Sequence, residues 1–585
     1  MENNLEKSTK DSSLAAYGYD MVLAITQGSL NAVLCEYLGK LKDEVRTSCY
    51  TISIDANGQP VFIEMDYNLL RLRLGKDLFE MDPNPKNRTE EDNKILEKAY
   101  NQEHFSFAVR YKYGFLPQAV PQIIELSDEA GRYERQKVYY KMHFKQFEVI
   151  ELSFYYGNLV YNKIVQDPHK PFIFNTLVNL SMQDLDLSNT PEEVKKEVKN
   201  MGANMFSIQQ LFLDINTAVI QSLPHLTGLS ESSPAYVLIT SKFINQCWKD
   251  MHSHGKVVFH YAVKPVQTTT TPSIIPTDFD FCISPYRPKG TYEKEKKLYT
   301  LNYVIMSEGK DMPLIREFSW NWIEKDEKSL HGSIAINGTC FTPRIISLFH
   351  EVITPQIKTP RVSITCYLRQ AQRRNVITLF FAEEASKPAY KKKRPTLWEM
   401  DYSGTHHSEG YIGATDKKVA DITGIYTLNS QIELAGSKLI HRLNVTFYLN
   451  VTRSGATAEG NIYSLDDTSE YDLSIDSYGR LSLNKVGTNK ATVKGEFHNP
   501  GKIRLSVSKD GGEYSVEEFR KVRGQDVLRE FNQLAENLDG KLKNSLSDIG
   551  KIWIFPGTRT FLFKEPLFSN FGDLTAHLNY KKIEK

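Results

Sequence analysis

A few histidine and acidic clusters hold the residue types that could do chemistry in this chain. The run Cys247-Trp248-Lys249-Asp250-Met251-His252-Ser253-His254, with His260 beyond it, puts two imidazoles at alternate positions. On extended backbone such a pair can grip one zinc ion. Here it falls at the end of a predicted helix, just before Gly255, where histidines also serve as ordinary C-terminal cations. His406-His407-Ser408-Glu409 follows Ser403-Gly404 and reads as a solvated turn. Asp278 and Asp280 share one strand face, the spacing of an acid/base pair and equally of two hydrated carboxylates. There is no G-x-S-x-G elbow, P-loop or dinucleotide fingerprint. These residues lead us to expect a binding protein rather than an enzyme, with no metal and no cofactor.

Aromatic residues offer a different chemistry, the capture of apolar surface. Phe107, Tyr111, Tyr139 and Phe154 on predicted strands are candidate lining of an elongated apolar groove. Trp320 and Trp322, on one face of FSWNWI, complete the set, although the same rings serve equally as core. A groove of this kind binds by area, at about 25 cal/mol per Å², with little headgroup selectivity. The basic run Lys391, Lys392, Lys393 and Arg394 is the candidate contact for lipid headgroups, at about 1 kcal/mol per charge. Its alternative reading is a solvated loop between strands.

The elements that must position these residues are mostly strands. An apolar stripe of Leu30, Val33, Leu34, Tyr37, Leu38, Leu41 and Val45 predicts a leading helix over about 19–46, after a disordered tail at 1–15. CYTISIDA and VFIEMDY read as a hairpin, and 82–93 as a loop. FSFAVRYKY alternates as a sheet with one buried side. Residues 190–223 and 242–253 read as helices, and AYVLIT as a strand. Strands resume from LYTLNYVIM onward, with a helix at 343–353 and a late amphipathic helix at 525–548. Domains are expected at 16–332 and 333–585.

Bulk composition narrows the function classes. The 585 residues carry 72 Lys+Arg against 71 Asp+Glu, so no global field favours nucleic acid. The six cysteines are thinly spread and are expected to stay reduced, Cys35 and Cys366 as buried thiols. The polar start MENNLEKSTKDSSLAA lacks an apolar core, and no run of eighteen apolar residues occurs, so a soluble protein, cytoplasmic as synthesised and released without a classical signal peptide, is expected.

Tyr17-Gly18-Tyr19-Asp20, followed by Val22, Ala24 and Ile25, resembles the opening of OrfX-type accessory proteins, which are encoded beside bacterial toxin genes and belong to the tubular lipid-binding (TULIP) superfamily. Leu301–Met306, Pro313-Leu314 and Phe318-Ser319-Trp320-Asn321-Trp322 resemble a second block in large relatives. The resemblance implies an α+β fold of mostly antiparallel, strongly curved β-sheets wrapped around long amphipathic helices, elongated in shape. It also implies a lipid or other apolar ligand, a toxin-complex protein partner, and virulence or insecticidal activity, with peripheral membrane contact through the basic run. Two alternatives stay open. One is a membrane-active toxin that inserts a hairpin from 423–454. The other is an enzyme with a buried apolar cavity.

Overall fold

The computed structural model describes residues 8–39, 44–116, 122–128, 130–169, 171–185, 206–222, 234–243, 247, 258–265, 276–287, 295–324, 331–369, 372–412, 417–453, 455–475, 481–487, 491–501, 503–507, 512–550 and 561–580. The chain divides into two compact units. The first holds Met1–Ala24, Pro265–Asp280 and Tyr303–Lys585, and the second holds Ile25–Lys264 and Phe281–Asn302. Each gathers segments distant in sequence, so this division differs from a single cut at 332/333. Strand pairing is mostly antiparallel, and Gln372–Glu383 runs parallel to Ile503–Val507. Among the described residues no helix is long and apolar enough to cross a membrane.

The leading segment corrects the sequence reading. Met21–Thr26 is a strand with all six residues buried, and the helix begins only at Gln27, running to Gly39. A fully buried strand is apolar on both faces, so MVLAIT looks the same as the first turns of a buried helix. The helix keeps the expected stripe at Leu30 and Leu34, both buried, whereas Val45 is half exposed and outside it. Polar side chains fix the helix start in the second unit. Asn31 accepts from the backbone N–H groups of Ile123 and Ile124 at 2.7 and 2.8 Å, and Gln27 accepts from that of Leu126 at 2.7 Å.

In the first unit the motif Tyr17–Asp20 is an anchor. Asp20 accepts from the Ser307 N–H at 2.9 Å and from its hydroxyl at 2.5 Å. Lys310 donates to both carboxylate oxygens at 3.0 Å, and the Cys340 thiol donates at 3.2 Å. Burial pushes the Asp20 carboxyl up, but these donors outweigh it and hold it below the usual carboxylate range. The Tyr17 and Tyr19 rings pack on Phe318, with centroids 5.0 and 5.9 Å away, and the Tyr17 hydroxyl accepts from the Ser319 N–H. The two blocks quoted from the sequence therefore meet in space.

Residues 8–15 are not a tail. Ser12 and Leu14 are fully buried because the Ser12 hydroxyl and the Leu14 N–H both donate to Asp573 at 2.7 Å. The same carboxylate accepts from the Gly338 N–H at the start of helix Gly338–Ile353. A Cβ at Gly338 would lie 2.4 Å from the Gly572 carbonyl oxygen, so this helix start requires glycine.

The second unit carries a nine-stranded sheet. The hairpin Arg46–Ile54 and Pro60–Met65 forms as expected, and Lys137–Tyr155 is one 19-residue strand. The sheet is covered on both sides, contrary to the one-sided reading. Helices Tyr67–Leu74 and Glu90–Asn101, the second starting inside the expected loop, build a core with Ala108 and Phe105. A register shift between Tyr50 and Thr51 turns Phe105 to the face opposite its expected partner Phe107, which stacks on Tyr50. Residues 206–222 form the strand Phe206–Ser222, not a helix, because pairing along Ile173–Leu185 outweighs local periodicity. Residues 190–205 lie outside the described set. AYVLIT is helical, opened by Pro234 at the first helical position.

The rest of the first unit holds two packed sheets. Four strands, led by the hairpin Lys358–Arg369 and Gln372–Glu383, lie against seven that include Leu397–Tyr411, Lys418–Ala435, Lys438–Arg453 and Ala456–Ile475. A Cβ at Gly424 would meet Val362 Cγ1 at 2.6 Å, so glycine lets the sheets close. Helix Val516–Gly550 starts earlier than expected because Ser515 and Glu518 form a reciprocal cap. Arg520 then pins it to the Ile462 carbonyl at 2.9 Å.

Asp20→Asn keeps the shape and removes the charge that organises Ser307, Lys310 and Cys340. We expect a loss of about 2 kcal/mol at neutral pH, discounted for the half-exposed Lys310, and a melting point lower by several degrees. The lowered carboxyl contributes stability above its unfolded pKa and loses it as pH falls through the folded one. The gap between wild type and variant in thermal melts should therefore close on acidification below about pH 4.

Candidate functional site

The six aromatic residues chosen from the sequence divide between the two units. In the second, Phe107 and Tyr111 are core, Tyr111 lying edge-on to Phe243 at 4.9 Å. Tyr139 is half-buried, and Phe154 is exposed and stacks on Tyr100 at 6.0 Å. In the first, Trp320 and Trp322 are buried with their rings 5.5 Å apart, inside the Tyr17–Phe318 cluster. Each of these rings except Phe154 and Tyr139 fills a core.

The basic run is an exposed strand, Lys391–Arg394, rather than a loop. Lys392 lies over the Trp398 ring at 5.6 Å, Lys393 pairs with Glu399 at 3.1 Å, and Arg394 with Glu433 at 3.8 Å. Charged residues on an edge strand also block edge-to-edge pairing.

A cavity of about 270 Å³ lies in the first unit beneath helix Val516–Gly550. Leu379 and Phe381 on strand Gln372–Glu383, Tyr426, Val445 and Tyr463 on the seven-stranded sheet, and Phe531 on the helix line it. Phe381 is edge-on to Tyr426 at 6.0 Å and to Phe447 at 5.1 Å, so rings from the two sheets frame the space. Its rim is polar. Lys358 pairs with Glu530 at 3.3 Å, and Arg523 with Asp526 at 3.1 Å. The Tyr426 hydroxyl donates to the Gln356 carbonyl at 2.8 Å, and burial pushes that phenol well up, so it stays neutral. A half-open pocket with aromatic walls and paired charges is compatible with a small-molecule site, here just below the usual size range. Phe531 falls within the late amphipathic helix expected at 525–548, but the groove was expected on other strands.

The polar clusters have structural readings. His406 and His407 sit within strand Leu397–Tyr411, not in a turn. His407, Glu409 and Asp421 converge, but Lys418 stands between the acids at 2.7 and 2.6 Å and supplies the positive charge. His252 and His254 lie outside the described residues. Asp278 and Asp280 fall on strand Pro276–Ser284 as expected. All six cysteines are free thiols; Cys35 and Cys366 are only partly buried, short of the buried thiols expected. Ser430 Oγ lies 2.9 Å from His441 Nε2 and 2.6 Å from the Tyr390 hydroxyl. That is the reach of a nucleophile and its base. Here, however, His441 is buried against the Phe349 ring at 4.8 Å. Burial, reinforced by Lys485, holds the imidazole down at about 3, so it is a weak base and a core hydrogen-bonding group.

No family model and no curated protein matches the chain. Solved structures align along nearly its whole length. P47 from Clostridium botulinum A2 does so at 10% identity with a TM-score of 0.40, covering 96% of this chain and 97% of that one. A lipopolysaccharide binding protein does so at 11% identity with a TM-score of 0.29, covering 96% and 99%. At these values neither assigns a family or a ligand.

Because His441 is held neutral, the fold is penalised once the unfolded histidine protonates. Its lowered pKa gives stability that is complete above about 6.5 and lost as pH falls toward 3. Between pH 7 and pH 5, the stability of wild type minus that of His441→Gln should fall by about 2 kcal/mol in denaturant titrations. A constant difference would show that the imidazole is reached by solvent.

Proposed function

We propose that this protein is a non-enzymatic binder of lipid-like or other apolar small molecules, and that the cavity beneath helix Val516–Gly550 is its site. One observation carries the reading: a half-open cavity lined by Leu379, Phe381, Val445 and Phe531 has its charges in opposite pairs. The charged residues of the lining are tied up in opposite pairs, Lys358 with Glu530 and Arg523 with Asp526, which supports binding over catalysis. The wider reading rests on the resemblance of Tyr17–Asp20 and Leu301–Trp322. On it we propose sheets curved around amphipathic helices in an elongated molecule, a toxin-cluster context with a protein partner in that assembly, and synthesis in the cytoplasm.

Membrane contact is the second reading. The hairpin turn after strand Lys137–Tyr155 presents Tyr155 and Tyr156, 64% and 87% exposed, and tyrosine suits the boundary between water and lipid. Dye release from liposomes by the intact protein supports it, and intact liposomes leave ligand binding as the sole reading.

The cavity is tested by filling it. Val527 lines the space from the helix and is partly exposed, so Val527→Trp adds an indole at little cost to the core. We expect diphenylhexatriene, a wholly apolar fluorescent probe, to bind wild type and to bind the variant at least about tenfold more weakly, as one lost contact set of about 1.4 kcal/mol requires. Melting temperatures should stay within a few degrees. Equal binding by both proteins would place the apolar site elsewhere.

A further inference from the structure

We infer that the ligand of this cavity is an uncharged amphiphile whose polar group hydrogen-bonds the Tyr463 hydroxyl, an inference that rests on the cavity being the binding site. Tyr463 comes from strand Ala456–Ile475 and lines the cavity with only 5% of its surface exposed. Its ring packs on Phe447 at 5.8 Å, yet its hydroxyl has no hydrogen-bond partner among the described residues. Tyr426, which lines the same space, is satisfied by the Gln356 carbonyl. The hydroxyl is accessible from the cavity rather than sealed in the core, so a ligand atom placed there gains a hydrogen bond with it. The unpaired group therefore favours ligands that bring a hydrogen-bonding atom beside the aromatic wall.

The rim decides the charge of that atom. Lys358 with Glu530 and Arg523 with Asp526 are two opposite pairs, so the mouth has no net charge to favour an anion or a cation. Burial, and then the Glu530 carboxylate, push the Tyr463 phenol up, so it remains protonated and serves as donor or acceptor. An alcohol, ester or amide fits both conditions, whereas a carboxylate would be desolvated with no net positive charge at the mouth to offset it.

The test is displacement of diphenylhexatriene from the full chain by decanol and by decanoate at neutral pH. Wild type should prefer decanol. Tyr463→Phe should bind diphenylhexatriene within about twofold of wild type and lose roughly five- to tenfold in affinity for decanol, the worth of one hydrogen bond. Retained probe binding shows that the variant is folded. Undiminished decanol affinity in Tyr463→Phe, or tighter binding of decanoate than decanol by wild type, overturns the inference while leaving the cavity as a site. Absence of probe binding by wild type overturns the site itself.

Discussion

The buried carboxylate of Asp20 ties three distant parts of the first unit together. Strand Met21–Thr26 leaves it, Ser307 closes strand Thr300–Ser307 on it, and Cys340 in helix Gly338–Ile353 donates to it. A charge in that position is stable only while its donors surround it, so the segments that supply them must be in place together. Asp573 repeats the device at the other end of the chain, gathering Ser12, Leu14 and Gly338. The cavity depends on this framework. Helix Gly338–Ile353, fixed at its start by both carboxylates, is joined by Glu351 to Lys541 of the long helix that covers the site.

The long helix and the two sheets enclose a gap in packing among the described residues. Gly424 lets the sheets approach, and Phe381, Tyr426 and Phe447 interlock where they meet. Further along, the helix crosses on Phe519 and Phe531 without filling the gap. Protein interiors are ordinarily packed to the density of organic crystals, so a gap of about 270 Å³ beneath the helix is a departure from close packing.

Much of the strand content was legible because alternation is local. The segments around Cys49, Phe105, Val362, Ile422 and Val445 all became strands. Met21–Thr26 and Phe206–Ser222 were misread because burial on both faces, or pairing with a distant strand, erases the period that separates strand from helix. The site was less legible still. Phe107, Tyr111, Trp320 and Trp322 have the composition of a groove lining and are core, since composition does not say which faces oppose. Tyr463 carries no local signal at all: its hydroxyl is conspicuous only once its neighbours are known to leave it unpaired. Tyr17–Asp20 and Phe318–Trp322 were legible as blocks, and the fold shows them to be one packed cluster.

The most direct measurement is photolabelling of the intact protein with a decanol analogue bearing a diazirine on its chain, followed by peptide mapping. The account predicts crosslinks in the helix segment Phe519–Phe531 and in strand Gln372–Glu383, competed away by decanol. Labelling concentrated at Phe318–Trp322 or on Phe107 and Tyr111, or labelling that decanol does not compete, would contradict it.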